Sequence, residues 1–275
     1  MPMSLGDHMC SHGRAFWAVF RARLRVLLAY RTAAVAGLFC QVFWGILRTA
    51  MFAALFRSAS KPQPLDLAQV TGYVWMTQAL FRMMPMAPDP DVRVMIRSGL
   101  IAHDLVRPMH LFTLWLMRAL ANVVAPVALR AAPLLLLAVA VFGVRLPSSG
   151  FSMVGFAGAL VLGFIVAALL QTLFTISMLW TISGDGVTRM AQVATFVFSG
   201  IVLPIPFFPD WAQPAIRALP FRAVLDTPIR IWVGDLAGEA AITAFLHQLG
   251  WIVGLWCIGR WLIAKSMRVV VVHGG

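Results

Sequence analysis

The stretch RVMIRSGLIAHDLVRP, residues 93–108, lies between two long apolar runs and is too polar to sit in lipid, so it reads as a connector exposed to the cytosol. Val94, Ile96, Leu100, Ile101, Leu105 and Val106 are apolar, whereas Arg93, Arg97, His103, Asp104 and Arg107 are not. That alternation predicts a short amphipathic helix within residues 91–108, ended at Pro108 because proline lacks the N–H and restricts the residue before it. Two readings stand side by side: an interfacial helix that only joins two membrane spans, and a docking helix for a soluble partner.

Working outward, the flanking runs decide the class. Hydrophobic residues make up 61% of the 275 residues, and the mean hydropathy is +0.86, more than a soluble core requires. The sequence is that of an integral membrane protein. Its 22 basic against 10 acidic residues give a net charge of +12. Most of the arginines stand outside the apolar runs, with no aromatic-interleaved basic patch, so topology rather than nucleic acid accounts for them. Cys10, Cys40 and Cys257 have no CxxC spacing and predict neither a disulfide framework nor a zinc site. The polar start MPMSLGDHMCSHGR has no cleavable-signal pattern, which leaves targeting to the spans.

Residues 14–31 predict an amphipathic helix in the cytosolic interface. Arg14, Arg21 and Arg25 share one face, Phe16, Val19, Phe20, Val26, Leu27 and Tyr30 lie opposite, and Arg23 snorkels out of the apolar face. Thr32 to Phe56 is a first span of 25 residues, about 37 Å as a helix, enough to cross a core of about 30 Å. A second runs from Ala68 to Ala87. The third, Leu111 to Gly143, is longer than a bilayer, contains Pro126 and Pro133, and carries Arg130 between them. Ser152 to Ile182 is a fourth, with Gly155, Ala159, Gly163 and Ala167 forming a ridge of small residues suited to close packing. SGDGVTR, with Asp185 and Arg189, forms a polar turn. A fifth span starts at Met190 and ends at Leu203, where prolines at 204, 206, 209, 214 and 220 forbid a straight helix. Irregular backbone at that depth must be covered by protein, so residues 204–239 predict an external re-entrant hairpin, with Trp211 at the interface and a polar outer segment holding Asp226, Asp235 and Glu239. The sixth span is Ala240 to Ile263, where Gly250 and Gly254 have GxxxG spacing. Eleven basic residues flank the N-terminal side and six the other. Both termini are therefore expected in the cytosol, and the whole chain, residues 1–275, reads as a single transmembrane domain.

Chemistry is sparse. No GxxxxGK[ST] occurs, so the chain is not expected to hydrolyse ATP, and no metal-ligand spacing appears. Ser199, Gly200 and His247 are the only remote suggestion of an intramembrane enzyme. A secondary transporter would need an intramembrane carboxylate or unwound ion site, and no acidic residue falls in the six predicted spans. The polar residues Gln41, Arg48, Gln78, Arg130 and Gln171 within the spans fit either a hydrated cargo path or hydrogen bonds between helices.

Two segments together resemble the permease subunits of ABC-2-type exporters, from about Arg14 to Arg268. Residues 97–108, RSGLIAHDLVRP, look like that family's coupling segment, a glycine followed nine positions later by proline, although the glutamates common before the glycine are absent. SGIVLP at 199–204, followed by Pro209, Trp211 and Pro220, is similar to the family's signature at the fifth span and re-entrant hairpin. Leu219-Pro-Phe221, Asp226-Thr-Pro228 and Gly234 look like a bacterial branch of it. The resemblance implies an all-α membrane protein of six transmembrane helices with an interfacial helix, a coupling helix and an extracellular re-entrant hairpin. It also implies a bacterial inner-membrane location, a second copy or a sister permease as partner, and a cognate ABC ATPase that carries ATP and Mg, with no cofactor in this chain. Docking would fall to Arg97, Gly99, Asp104, Leu105, Arg107 and Pro108, and the hairpin to Gly200, Pro204, Pro209, Trp211 and Pro220. By the same analogy the cargo is amphipathic and moves outward.

Overall fold

The computed structural model describes residues 5–29, 31–101, 104, 109–147, 149–180 and 185–267, and among them every regular element is helical. The helices are α1 (Leu5–Leu28), α2 (Arg31–Ser58), α3 (Leu67–Ala79), α4 (Pro90–Arg97), α5 (Leu111–Phe142), α6 (Gly150–Ser177), α7 (Asp185–Phe198), α8 (Gln213–Ala218), α9 (Asp226–Trp232) and α10 (Gly238–Ser266). Short 3₁₀ turns occupy Phe81–Met83, Ile205–Phe207 and Pro220–Ala223. Leu105, Arg107 and Pro108 lie outside the described residues.

Four helices among the described residues are long and apolar enough to cross a membrane: Val35–Ser58, Leu111–Phe142, Gly150–Ser177 and Gly238–Ser266. They coincide with the first, third, fourth and sixth expected spans. α5 stays helical through Pro126 and Pro133 and stops at Gly143, whose φ of 63° closes the helix in the left-handed conformation that glycine adopts without strain.

The second and fifth segments are shorter than their apolar runs. α3 is opened by a reciprocal Asp66–Gln69 capping box and ends at Ala79 rather than Ala87. The chain tightens into the 3₁₀ turn at Phe81–Met83, and Pro85 forbids a helix beyond it by holding Met84 extended (φ −64°, ψ 131°) ahead of the ring. α7 includes Asp185, where a polar turn was expected, and ends at Phe198 rather than Leu203. Gly200, at φ 87°, turns the chain before any of the five prolines.

Beyond Gly200 the chain folds back into the protein. Within the segment expected to be polar, Asp226–Trp232 is buried, including the charged Asp226 and Arg230. Trp211, by contrast, is exposed at the tip. The α6 ridge receives this hairpin: a Cβ on Gly163 would stand 2.7 Å from Met83 Cε and 2.9 Å from the Val224 carbonyl, and one on Gly155 would touch Ile231. Gln248 of α10, wholly buried, ties the two layers by donating to the Ala159 and Ala223 carbonyls, each at 2.9 Å. Within this chain no other helix lies against Gly250 or Gly254: space is open around the first and only Trp251 of the same helix approaches the second. The close glycine of α10 is Gly259, which lies against the Phe112 ring.

Candidate cargo cavity and coupling surface

Three of the polar span residues converge. Gln41 and Arg48 of α2 and Gln78 of α3 line a cavity of about 520 Å³, walled otherwise by apolar side chains such as Trp44, Met51, Phe81 and Phe196. Gln41 and Arg48 are seven residues apart, two helical turns, so one face of α2 presents both. Arg48 donates to the Val202 carbonyl at 2.7 Å. Because Gly200 ends α7 early, the carbonyls past the break have no helical donor, and the guanidinium supplies one. Gln41 is 5% exposed, and neither its amide nitrogen nor its oxygen has a hydrogen-bond partner within the chain. A buried amide facing an apolar chamber is the arrangement that a polar group of a bound molecule completes.

The other two polar residues lie elsewhere. Arg130 of α5 packs over Gly37 of α2, where an added Cβ would come within 2.6 Å of the guanidinium carbon. Gln171 is at the root of the connector, donating to the Ala87 carbonyl at 3.2 Å.

That root is a charged cluster that sequence reading missed. Asp89 caps α4 by accepting from the Asp91 and Val92 N–H groups, with Pro90 at the first helical position. Its own N–H donates to Thr175 of α6, and its carboxylate accepts from Arg118 (3.2 and 3.3 Å) and Asn122 (3.1 Å) of α5. Arg23 of α1 completes the cluster. It does not snorkel as expected; it pairs with Asp91 at 2.6 Å and donates to Asn122, because a carboxylate within reach of the buried stem is a stronger partner than distant headgroups. Burial alone would raise the Asp89 pKa, but the Arg118 hydrogen bonds and charge, the Val92 N–H and the Arg23 charge outweigh it and hold the carboxyl below its ordinary value. The Asp-Pro pair was the available signal in the sequence.

From this root α4 runs to Arg97, and Gly99, at φ 74°, turns the chain. Val94, Arg97, Gly99 and Leu100 are exposed, Val94 and Leu100 by half or more. Asp104 is buried, with the Trp115 indole N–H donating to its carboxylate at 3.4 Å.

A second polar cluster locks the hairpin. Tyr73 donates to Asp226 at 2.9 Å, the Ile205 N–H is bonded to the same carboxylate, and Arg230 lies 3.6 Å from its other oxygen while also pairing with Asp235. Gly200 passes so closely that a Cβ would collide with the Tyr73 hydroxyl. Asp226 is thus engaged by its neighbours rather than free to carry an ion. Ser199 bonds Met84 and Phe196, and His247 contacts Ala218 and Trp251, so each has a partner other than the one a catalytic pair would need. Among the described residues no group of His, Cys, Asp or Glu could hold a metal ion.

Every regular element among the described residues is helical, and four of those helices are long and apolar enough to cross a membrane, which is the build of a membrane-embedded protein. Residues 65–271 match the sequence profile described as ABC-2 family transporter protein, and the chain belongs to that family. Neither a curated protein nor a solved structure gives a significant match.

Proposed function

We propose that this chain is the membrane-spanning permease subunit of an ATP-driven exporter in the bacterial cytoplasmic membrane, supplying half of the pathway for an amphipathic cargo and no chemistry of its own. α2, α3 with its 3₁₀ extension, α5, α6, α7 and α10 form six spans with both termini cytosolic, and α1 lies along the inner interface. A second copy or a sister permease faces the exposed side of α2, where Phe39 and Phe43 stand out. A separate ATPase, which carries ATP and Mg, docks on Val94, Arg97, Gly99 and Leu100 and on the expected residues Leu105, Arg107 and Pro108. The observation that carries the reading is the chamber in which Gln41 keeps a buried, unpartnered amide. The test is transport by proteoliposomes holding this chain with its co-purified ATPase. Gln41→Leu with Gln78→Leu should leave basal ATP hydrolysis unchanged and alter stimulation by cargo; normal transport of every cargo tested would remove the chamber from the pathway.

A further inference from the structure

Arg14, Trp17, Ala18, Arg21, Ala22 and Arg25 line a groove of about 350 Å³ on the outer face of α1. Their spacing puts all of them on one side of the helix. Arg21 lies over the Trp17 ring, 5.1 Å from its centroid, and Trp17 stacks on the buried Phe20 with centroids 4.8 Å apart, so the guanidinium is positioned before any ligand arrives. Among the described residues none of the three arginines pairs with a carboxylate. Arg23, on the inner side of the same helix, is the one engaged by Asp91.

We infer that this groove binds the phosphate of an anionic phospholipid headgroup in the leaflet that borders α1. Guanidinium groups take phosphate oxygens through paired N–H donors, and Ala18 and Ala22 leave room between them. A lipid fits better than a soluble acidic surface because Trp17 (48% exposed) and Val26 (52% exposed) offer apolar area beside the charges. α1 also leads, across residues 29 and 30, into the first membrane helix, which keeps it at the bilayer surface.

The full chain, purified in detergent and offered equal amounts of phosphatidylglycerol and phosphatidylcholine, should retain phosphatidylglycerol selectively by native mass spectrometry, with selectivity falling as salt rises. Replacing Arg14, Arg21 and Arg25 with glutamine should reduce that retention by about fivefold per arginine, whereas Arg23→Gln, the same loss of charge as any one of them but on the inner side, should leave it unchanged. If the triple variant does not fold, Arg21→Gln alone and the salt series decide the same question. Equal retention of the two lipids by the wild-type chain, or undiminished retention by the arginine variants, overturns the inference. So does loss of a co-purifying ATPase from the triple variant with lipid retention intact, which would assign the groove to an acidic protein surface.

Discussion

The Tyr73 hydroxyl donates to the Asp226 carboxylate at 2.9 Å, joining α3 to α9 across 153 positions of sequence, and Gly200 is the residue that lets the two meet. Tyr73→Phe leaves one oxygen of a buried carboxylate short of a donor and should cost about 1–3 kcal/mol. Gly200→Ala should cost more, because it adds backbone strain at positive φ to a collision with the hydroxyl. Thermal unfolding in detergent orders the two; equal melting temperatures for both variants and wild type would show that the hairpin is not held this way.

Asp89 gathers α1, α4, α5 and α6 at one point. Asp89→Ala removes the cap and strands Arg118, and the loss should be about 3 kcal/mol. The pH dependence follows from the sign of the shift. A carboxyl whose folded pKa lies below its unfolded value of about 3.9 contributes fully above that value and loses the contribution as pH falls through the folded pKa. Unfolding above about pH 5 should therefore be insensitive to this group, with destabilisation setting in only below about pH 4. An Asp89→Asn variant should flatten that acid limb.

Gln41 predicts the opposite of an ordinary buried polar residue. Since its amide has no partner within the chain, Gln41→Leu removes an unsatisfied group and should leave the isolated subunit as stable or up to about 1 kcal/mol more stable. A large drop in melting temperature would mean that the amide is satisfied internally. Cargo stimulation is the property that should change.

Gly37 and Arg130 make a matched pair. Gly37→Leu should push the guanidinium off its seat and separate α2 from α5, lowering the yield of folded chain, while Gly37→Ala displaces only the end of a flexible side chain and should be mild. Arg130→Ala assembled normally, with transport unchanged, would exclude Arg130 from both structural and pathway roles.

Val94 and Leu100 are apolar side chains left exposed beside Arg97. Val94→Glu with Leu100→Glu should weaken association with the ATPase by about 2–4 kcal/mol, the scale of interface hot spots, without changing the melting temperature of the isolated chain. Unaltered co-purification would move the docking surface elsewhere.

The membrane class, the four long helices and the positions of the connector and the proline-rich break were legible in the amino-acid order alone. Those rest on hydropathy, helical length and proline chemistry, which act within about a turn or a span of the chain. The bar to a helix beyond Met84 was written there too, in Pro85, but an apolar run averaged over twenty residues hides one ring. Which polar residues meet across helices came from the packing of the folded chain. Gln41, Arg48 and Gln78 share a chamber while Arg130 and Gln171 do not, Asp104 and Asp226 turn inward although their segments look polar, and Arg23 finds Asp91 rather than lipid. Such pairings depend on how closely backbones approach, and Gly37, Gly163 and Gly200 set that distance by what they lack. Spacing puts Gln41 and Arg48 on one face of α2 but carries no record of what faces them from other helices.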